Sequence, residues 1–325
     1  MSNFFCADNS RKQGEELIGT ATNNQTYILI ECPQPWMSSA FHSKWVPENL
    51  SVLVKECKKA ELPIRFLLIA NNISHKVDST TLLIYESNKG LGNGYSKREF
   101  KLENIEQAAT TIKKWLKGKP SRYEVSTDIT RDFLICTHGS HDKCCARYGG
   151  RFYFHASNKI TEMGLKNVRI WKSSHFGGHR FAPTMIDLPD GRYYGKLDLN
   201  SFQSILTRSG EIENLIKVYR GWGFLPRPIQ VLERELMLVH GWDWFNYKVE
   251  AKILKESPDG CIFQARLSFE KPDESLHTFK AKLVKDDFKS ITLQAACNAT
   301  EKITCAKYSV ASLTLTSSQS ATCVA

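Results

Sequence analysis

Two stretches of this chain open on the same kind of segment. TYILIEC (Thr26 to Cys32) and DFLIC (Asp132 to Cys136) are short apolar runs, each ending in a cysteine. Runs of this length, with isoleucine, threonine and aromatic residues, read as buried strands. After the first, Pro33 and Pro35 interrupt the chain. PENLSVLVKECKKAEL then has helical spacing, with Leu50, Leu53 and Val54 on one face and Pro47 near the start. IRFLLIA and TTLLIYE predict two further strands, and a charged helix is expected over about residues 104–117, ending near the basic KGKPSR. The second stretch repeats the plan. A helix is expected over about 146–163, stopped by Gly164, and NVRIWKS is the next strand. APTMIDL and GRYYGKL flank a Pro-Asp-Gly turn and read as a hairpin, with helices over about 199–207 and 211–219 after it. The pattern is α/β with a diverged internal duplication, in which Cys32 occupies the slot of Cys136.

Beyond about Pro228 the texture changes. YKVEAKILKES and CIFQARLSFE alternate on either side of a second Pro-Asp-Gly turn, and HTFKAKLV and SITLQAACN continue the alternation. That is the pattern of a small antiparallel β module. The division expected is an N-terminal unit over 1–122, a second unit over 123–228, a C-terminal β module over 229–312 and a disordered Ser/Thr-rich tail over 313–325.

Composition narrows the class. No apolar run is long enough to span a bilayer, and MSNFFCADNSRKQGEE has neither the basic opening nor the apolar stretch of a signal peptide. No membrane insertion and a cytoplasmic location are therefore expected. Ten scattered cysteines, in a reducing compartment, are free or metal-bound rather than a disulfide framework. The net charge of +10 favours anionic partners, but no helix-turn-helix, zinc-finger or RNP pattern converts it into nucleic-acid recognition. An acidic redox partner accounts for the charge as well as a solvated surface does.

The second unit carries the chemistry. Cys136 and Cys145 form Cys-x8-Cys in CTHGSHDKCC, and His175 and His179 form His-x3-His in SHFGGHRFA. Two thiols and two imidazoles admit zinc, copper or an iron–sulfur centre with Rieske-like donors. A [2Fe–2S] rhomb needs two donors on each of two irons, so paired ligands on separate loops suit it. Cys136 ends a strand and Cys145 opens a helix, whose unpaired N–H groups lower a thiol's pKa. Gly177 and Gly178 let the histidine loop approach a metal closely. Neutral imidazoles in place of two thiolates make a cluster easier to reduce. The first unit has neither a second cysteine in this position nor a His-x3-His, so it is expected to be metal-free.

CTHGSHDKCCARYG, SSHFGGHRFAPTMIDLPDGRYYG and YRGWGFLPRPIQVLE together resemble the sucrase/ferredoxin-like family, over roughly Cys6 to Glu235 and most densely over 133–197. Its members are similar to thioredoxin-fold ferredoxins. The resemblance implies two thioredoxin-like units, the second binding a [2Fe–2S] cluster through Cys136, Cys145, His175 and His179, and an electron-transfer role. No carboxylate pair suggests glycoside hydrolysis, so a non-enzymatic carrier is expected.

Alternatives stand beside this reading. Cys144 competes with Cys145 by one position, though the family spacing favours Cys145. His138 and His141 lie inside the cysteine loop and can compete as ligands, while hydrogen bonding or solvent exposure is their duller role. A structural zinc site is disfavoured by the eight residues between the cysteines and the 29 between Cys145 and His175. A thiol–disulfide oxidoreductase would use Cys144 or Cys145 with a partner cysteine, but no Cys-x-x-Cys is present.

Overall fold

The computed structural model describes residues 4–72, 74, 79–87, 90–126 and 128–319. The chain is mixed α/β and gathers into two compact units. One comprises residues 24–87 and 96–189, the other residues 1–23, 88–95 and 190–325. This differs from the expected boundaries at 122 and 228. The strands of the two expected repeats are joined edge to edge inside the first unit, through antiparallel pairing of Ile69 with Ser173 and Ala70 with Lys172.

The strands of the first unit are β1 (Thr26–Glu31), β2 (Ile64–Ala70), β3 (Thr80–Ser87), β4 (Tyr95–Leu102), β5 (Glu124–Val125), β6 (Arg131–Cys136), β7 (Val168–Ser173) and β8 (Met185–Leu188). They lie side by side in the order β8-β6-β7-β2-β1-β3-β4-β5. β1 is parallel to β2 and antiparallel to β3; β6 is parallel to β7 and antiparallel to β8. One pairing pattern thus occurs twice. Parallel neighbours need a crossover, which the helices Glu48–Lys59 and Gly150–Glu162 supply.

Every residue of β1 is buried, as its unbroken apolar run requires. The Glu48–Lys59 helix turns Leu50, Leu53, Val54 and Cys57 inward, onto a cluster with Ile28, Ile30, Phe66, Leu68 and Ile112. Cys32 belongs to that cluster, and burial pushes its thiol up to about 12. It is a core residue despite sharing the slot of Cys136. Asp132, buried at the start of β6, anchors a polar cluster. It accepts from Arg169 Nε at 2.8 Å, Lys97 Nζ at 2.8 Å, Trp171 Nε1 at 2.7 Å and the Tyr85 hydroxyl at 2.5 Å. Burial alone would raise its pKa, but Arg169 and Lys97 outweigh that and hold it below the usual carboxylate range.

The second unit begins with the helix Cys6–Lys12 and continues with β9 (Arg192–Tyr194) paired antiparallel to β10 (Tyr219–Trp222), with the helices Leu199–Thr207 and Ile212–Ile216 between them. Arg220 is buried and donates to the Thr20 carbonyl at 2.8 Å, a structural tie. The C-terminal region corrects two expectations. It opens with a helix, Arg227–His240, not with strands: Pro228 stands in its first turn, where a missing N–H costs nothing, and Ile229, Leu232, Leu236 and Met237 are buried. The alternating segments then form β11 (Lys248–Glu256), β12 (Ile262–Glu270), β13 (Leu276–Lys285), β14 (Ile291–Leu293), β15 (Ile303–Cys305) and β16 (Tyr308–Gln319).

β11, β12, β13 and β16 make an antiparallel sheet in that order, and the Pro-Asp-Gly turn at 258–260 joins β11 to β12 as expected. The tail expected to be disordered from 313 is therefore strand through Gln319, hydrogen-bonded along β13. Backbone pairing does not require apolar side chains, so a Ser/Thr-rich composition conceals it. Residues 320–325 lie outside the described residues. Among the described residues no helix is long and apolar enough to cross a membrane.

Candidate metal centre

β6 and β7 are in register, with Cys136 opposite Ser173, so both strands deliver their ends to one place. After Cys136 the chain turns at His138, whose carbonyl accepts from the N–H groups of His141 and Asp142 at 3.2 and 3.3 Å. The Asp142 carboxylate then accepts from Cys144 N at 2.8 Å, and its carbonyl from Cys145 N at 3.0 Å. This is how an aspartate caps a helix start. The helix opens with a π turn, Cys145–Gly149, before continuing as Gly150–Glu162. A side chain at Gly149 would overlap the Cys136 carbonyl oxygen, so glycine is what lets this turn lie against the strand end.

Cys136 and Cys145 are 1% and 0% exposed. Burial opposes ionisation of Cys136, but hydrogen bonds from the Cys145 thiol and from the backbone at His138 and Phe176 prevail and lower its pKa. The Cys145 thiol is pushed well up, first by that hydrogen bond and then by burial. The two thiols thus form one hydrogen-bonded pair, with Cys136 favoured as the acceptor.

The histidine loop is fixed by other parts of the sheet. Ser174 exchanges hydrogen bonds with Leu68 of β2, donating its N–H to the Leu68 carbonyl at 2.8 Å and accepting from Leu68 N on its hydroxyl at 3.0 Å. Arg65 Nη2 donates to the His175 carbonyl at 2.7 Å, and His175 N donates to His138 Nδ1 at 3.1 Å. Accepting on Nδ1 leaves the His138 proton on Nε2, which lies 2.8 Å from the Met37 carbonyl. Both nitrogens of His138 are thereby engaged in positioning the loop. Gly177 and Gly178 have φ of 102° and 82°, a left-handed path closed to most residues, and His179 follows.

His175 Nδ1 lies 3.5 Å from Cys136 Sγ and 3.7 Å from Cys145 Sγ. Its ring stacks on His141 at 3.9 Å and on His179 at 5.1 Å between centroids. Burial, and then the charge that His141, His179 and Arg65 would bring, push its pKa down to about 2, so the ring is neutral with a lone pair to donate. Two groups of side chains that share His175 could therefore hold a metal ion. One is Cys136, Cys145 and His175, the other His141, His175 and His179, and in each the donor atoms lie within 4.8 Å of one another.

All four residues singled out from the sequence meet here, and His175 belongs to both groups. Cys145, not Cys144, joins Cys136. His141, given the duller role in the sequence, stands among the imidazoles, while His138 does take the hydrogen-bonding role. Two contributors were missed. Asp142 caps the helix and lies 3.8 Å from His179 Nδ1; its place immediately before a helical run is a recognisable capping signal. Arg65, 110 positions from His175, leaves no local signal at all.

No curated protein and no solved structure matches the chain. A family model does, over residues 17–221, which takes in the strands, the capped π turn and the histidine loop that build this centre. The chain belongs to the sucrase/ferredoxin-like family.

Proposed function

We propose that this protein is an electron carrier that binds a [2Fe–2S] cluster through Cys136, Cys145, His175 and His179. The observation that carries the reading is the convergence of two buried thiols in contact with each other and two half-buried imidazoles at the ends of β6 and β7. The donors spread over two groups that share His175, wider than the shell of a single ion, which fits a two-iron centre. A bound cluster would supply one-electron chemistry. The chain's part is to lower the Cys136 pKa through backbone N–H groups, to keep His175 neutral, and to fix the loop through His138 and Arg65. The cysteines lie inside and the histidines nearer the surface, so a partner meets the histidine side. A redox partner with an acidic docking face suits the net charge of +10.

The twice-used pairing, parallel then antiparallel about β1 and about β6, supports a thioredoxin-like unit duplicated within one sheet. A cytoplasmic location is part of the same reading: no disulfide joins the nine described cysteines, as suits a reducing compartment.

A second reading rests on the contact between Cys136 and Cys145: a dithiol of this kind can cycle to a disulfide, as in a thiol–disulfide oxidoreductase. A third, a structural zinc ion on Cys136, Cys145 and His175, rests on the compactness of that group. Anaerobic purification with iron, zinc and acid-labile sulfide analysis, followed by low-temperature EPR of the dithionite-reduced protein, separates them. Two irons, two sulfides and a paramagnetic signal support the cluster. A colourless protein with stoichiometric zinc, or with a redox-active thiol pair and no metal, replaces it.

A further inference from the structure

A cavity of about 290 Å³ opens beside His175, between the Glu48–Lys59 helix and β2. No carboxylate lines it, although the chain has 34 acidic residues. Its cations come from Lys55 and Lys58, on one helical face, and from Arg65 of β2. Among the described residues neither lysine makes an ion pair. Arg65 donates Nη2 to the His175 carbonyl, while its buried Nε has no hydrogen-bond partner among the described residues. A buried donor left in this state is uncommon and is satisfied when an acceptor arrives. Phe41 and Phe66, edge to face at 6.2 Å between centroids, give the same cavity an apolar wall.

Three cations without a carboxylate, an open donor and an aromatic wall define the complementary ligand. We infer that this cavity is a binding site for a small organic anion, a carboxylate or phosphate monoester with an apolar body. Its charged end lies on Lys55, Lys58 and Arg65, and its body lies on Phe41 and Phe66. The volume is that of a small-molecule pocket rather than of a protein footprint. The ligand would sit against His175, at the edge of the candidate metal centre. His141 and His175 line the same cavity, but Lys55, Lys58, Arg65, Phe41 and Phe66, which would hold the ligand, lie outside the donor set.

Calorimetric titration of the full-length protein with phenyl phosphate, benzoate and the neutral benzyl alcohol tests this. Phenyl phosphate is expected to bind saturably at one site, at least tenfold tighter than benzyl alcohol, with benzoate distinguishing carboxylate from phosphate preference. The double variant K55Q/K58Q, altered only at exposed helix positions, is expected to weaken phenyl phosphate at least tenfold with unchanged thermal unfolding. R65Q is expected to weaken it as well. Equal affinity for phenyl phosphate and benzyl alcohol, absence of saturable binding, or a double variant within twofold of the native protein would overturn the inference. Metal content measured on the same samples keeps this result separate from the cluster assignment.

Discussion

Cys136 Sγ and His175 Nδ1 lie 3.5 Å apart although 39 positions separate them in the chain. The parallel register of β6 and β7 explains this: Cys136 pairs with Ser173, so the histidine loop starts beside the cysteine that ends the neighbouring strand. Arg65 and His138 then hold the loop there from two directions. The proximity is a property of the sheet, and variants that alter donors and variants that alter the sheet should behave differently.

The two adjacent cysteines provide the sharpest donor test. C145S is expected to lose most bound iron and the visible absorbance, because it removes one of the two thiols in contact. C144S is expected to keep both, since Cys144 lies outside the group formed with Cys136 and His175. Iron and acid-labile sulfide per chain measure the outcome. Equal loss in both variants would contradict the assignment.

Replacing His175 or His179 with cysteine adds a negative charge to the donor set. Each variant is expected to retain part of its cluster and to show a reduction potential lower by on the order of 100 mV. Potentiometric titration followed by absorbance reads this directly. An unchanged potential would mean that the substituted position does not ligate.

Gly149→Ala inserts a methyl group where the Cys136 carbonyl already stands. Forcing the π turn away from the strand end is expected to cost about 1–3 kcal/mol, the usual range for overpacking. Thermal unfolding should show the loss, and metal content should fall with it. Gly150→Ala, one residue further on, meets nothing within 4 Å and serves as the control.

Asp132→Asn removes the carboxylate on which Arg169 and Lys97 converge. Buried Glu99 still pairs with both cations, so the loss is expected near the lower end of the range for a broken buried pair, about 3 kcal/mol. The native pair also sets an acid limit. Because the folded pKa of Asp132 is depressed, its contribution is complete above the unfolded value of about 4 and is lost as pH falls toward the folded value. Urea unfolding midpoints measured from pH 6 downward should decline below about pH 4 in the native protein and less steeply in the variant.

What was legible in the sequence was local. The apolar run of β1, the face of Leu50, Leu53 and Val54, the Gly164 stop at φ 64° and the turn at 258–260 follow from periodicity and turn chemistry within short windows. Paired cysteines and paired histidines likewise declared a donor set, since few other uses gather those residues at such spacing. The helix Arg227–His240 and the strand Tyr308–Gln319 were not legible in this way. The first lies at a change of texture. The second is held by backbone hydrogen bonds to β13, which composition does not reveal.

The sequence by itself determined which side chains could bind metal and which elements carry them. Only the tertiary structure decided that Cys145 faces Cys136, that His141 joins His175 and His179 as a possible donor while His138 does not, and that Arg65 reaches the His175 carbonyl. Successive residues on a helical turn point about 100° apart. Which of two adjacent thiols meets the strand end therefore depends on how the turn is seated. Its seating rests on Gly149 against Cys136 and on the pairing of β2 with β7, contacts between segments that no window of sequence contains.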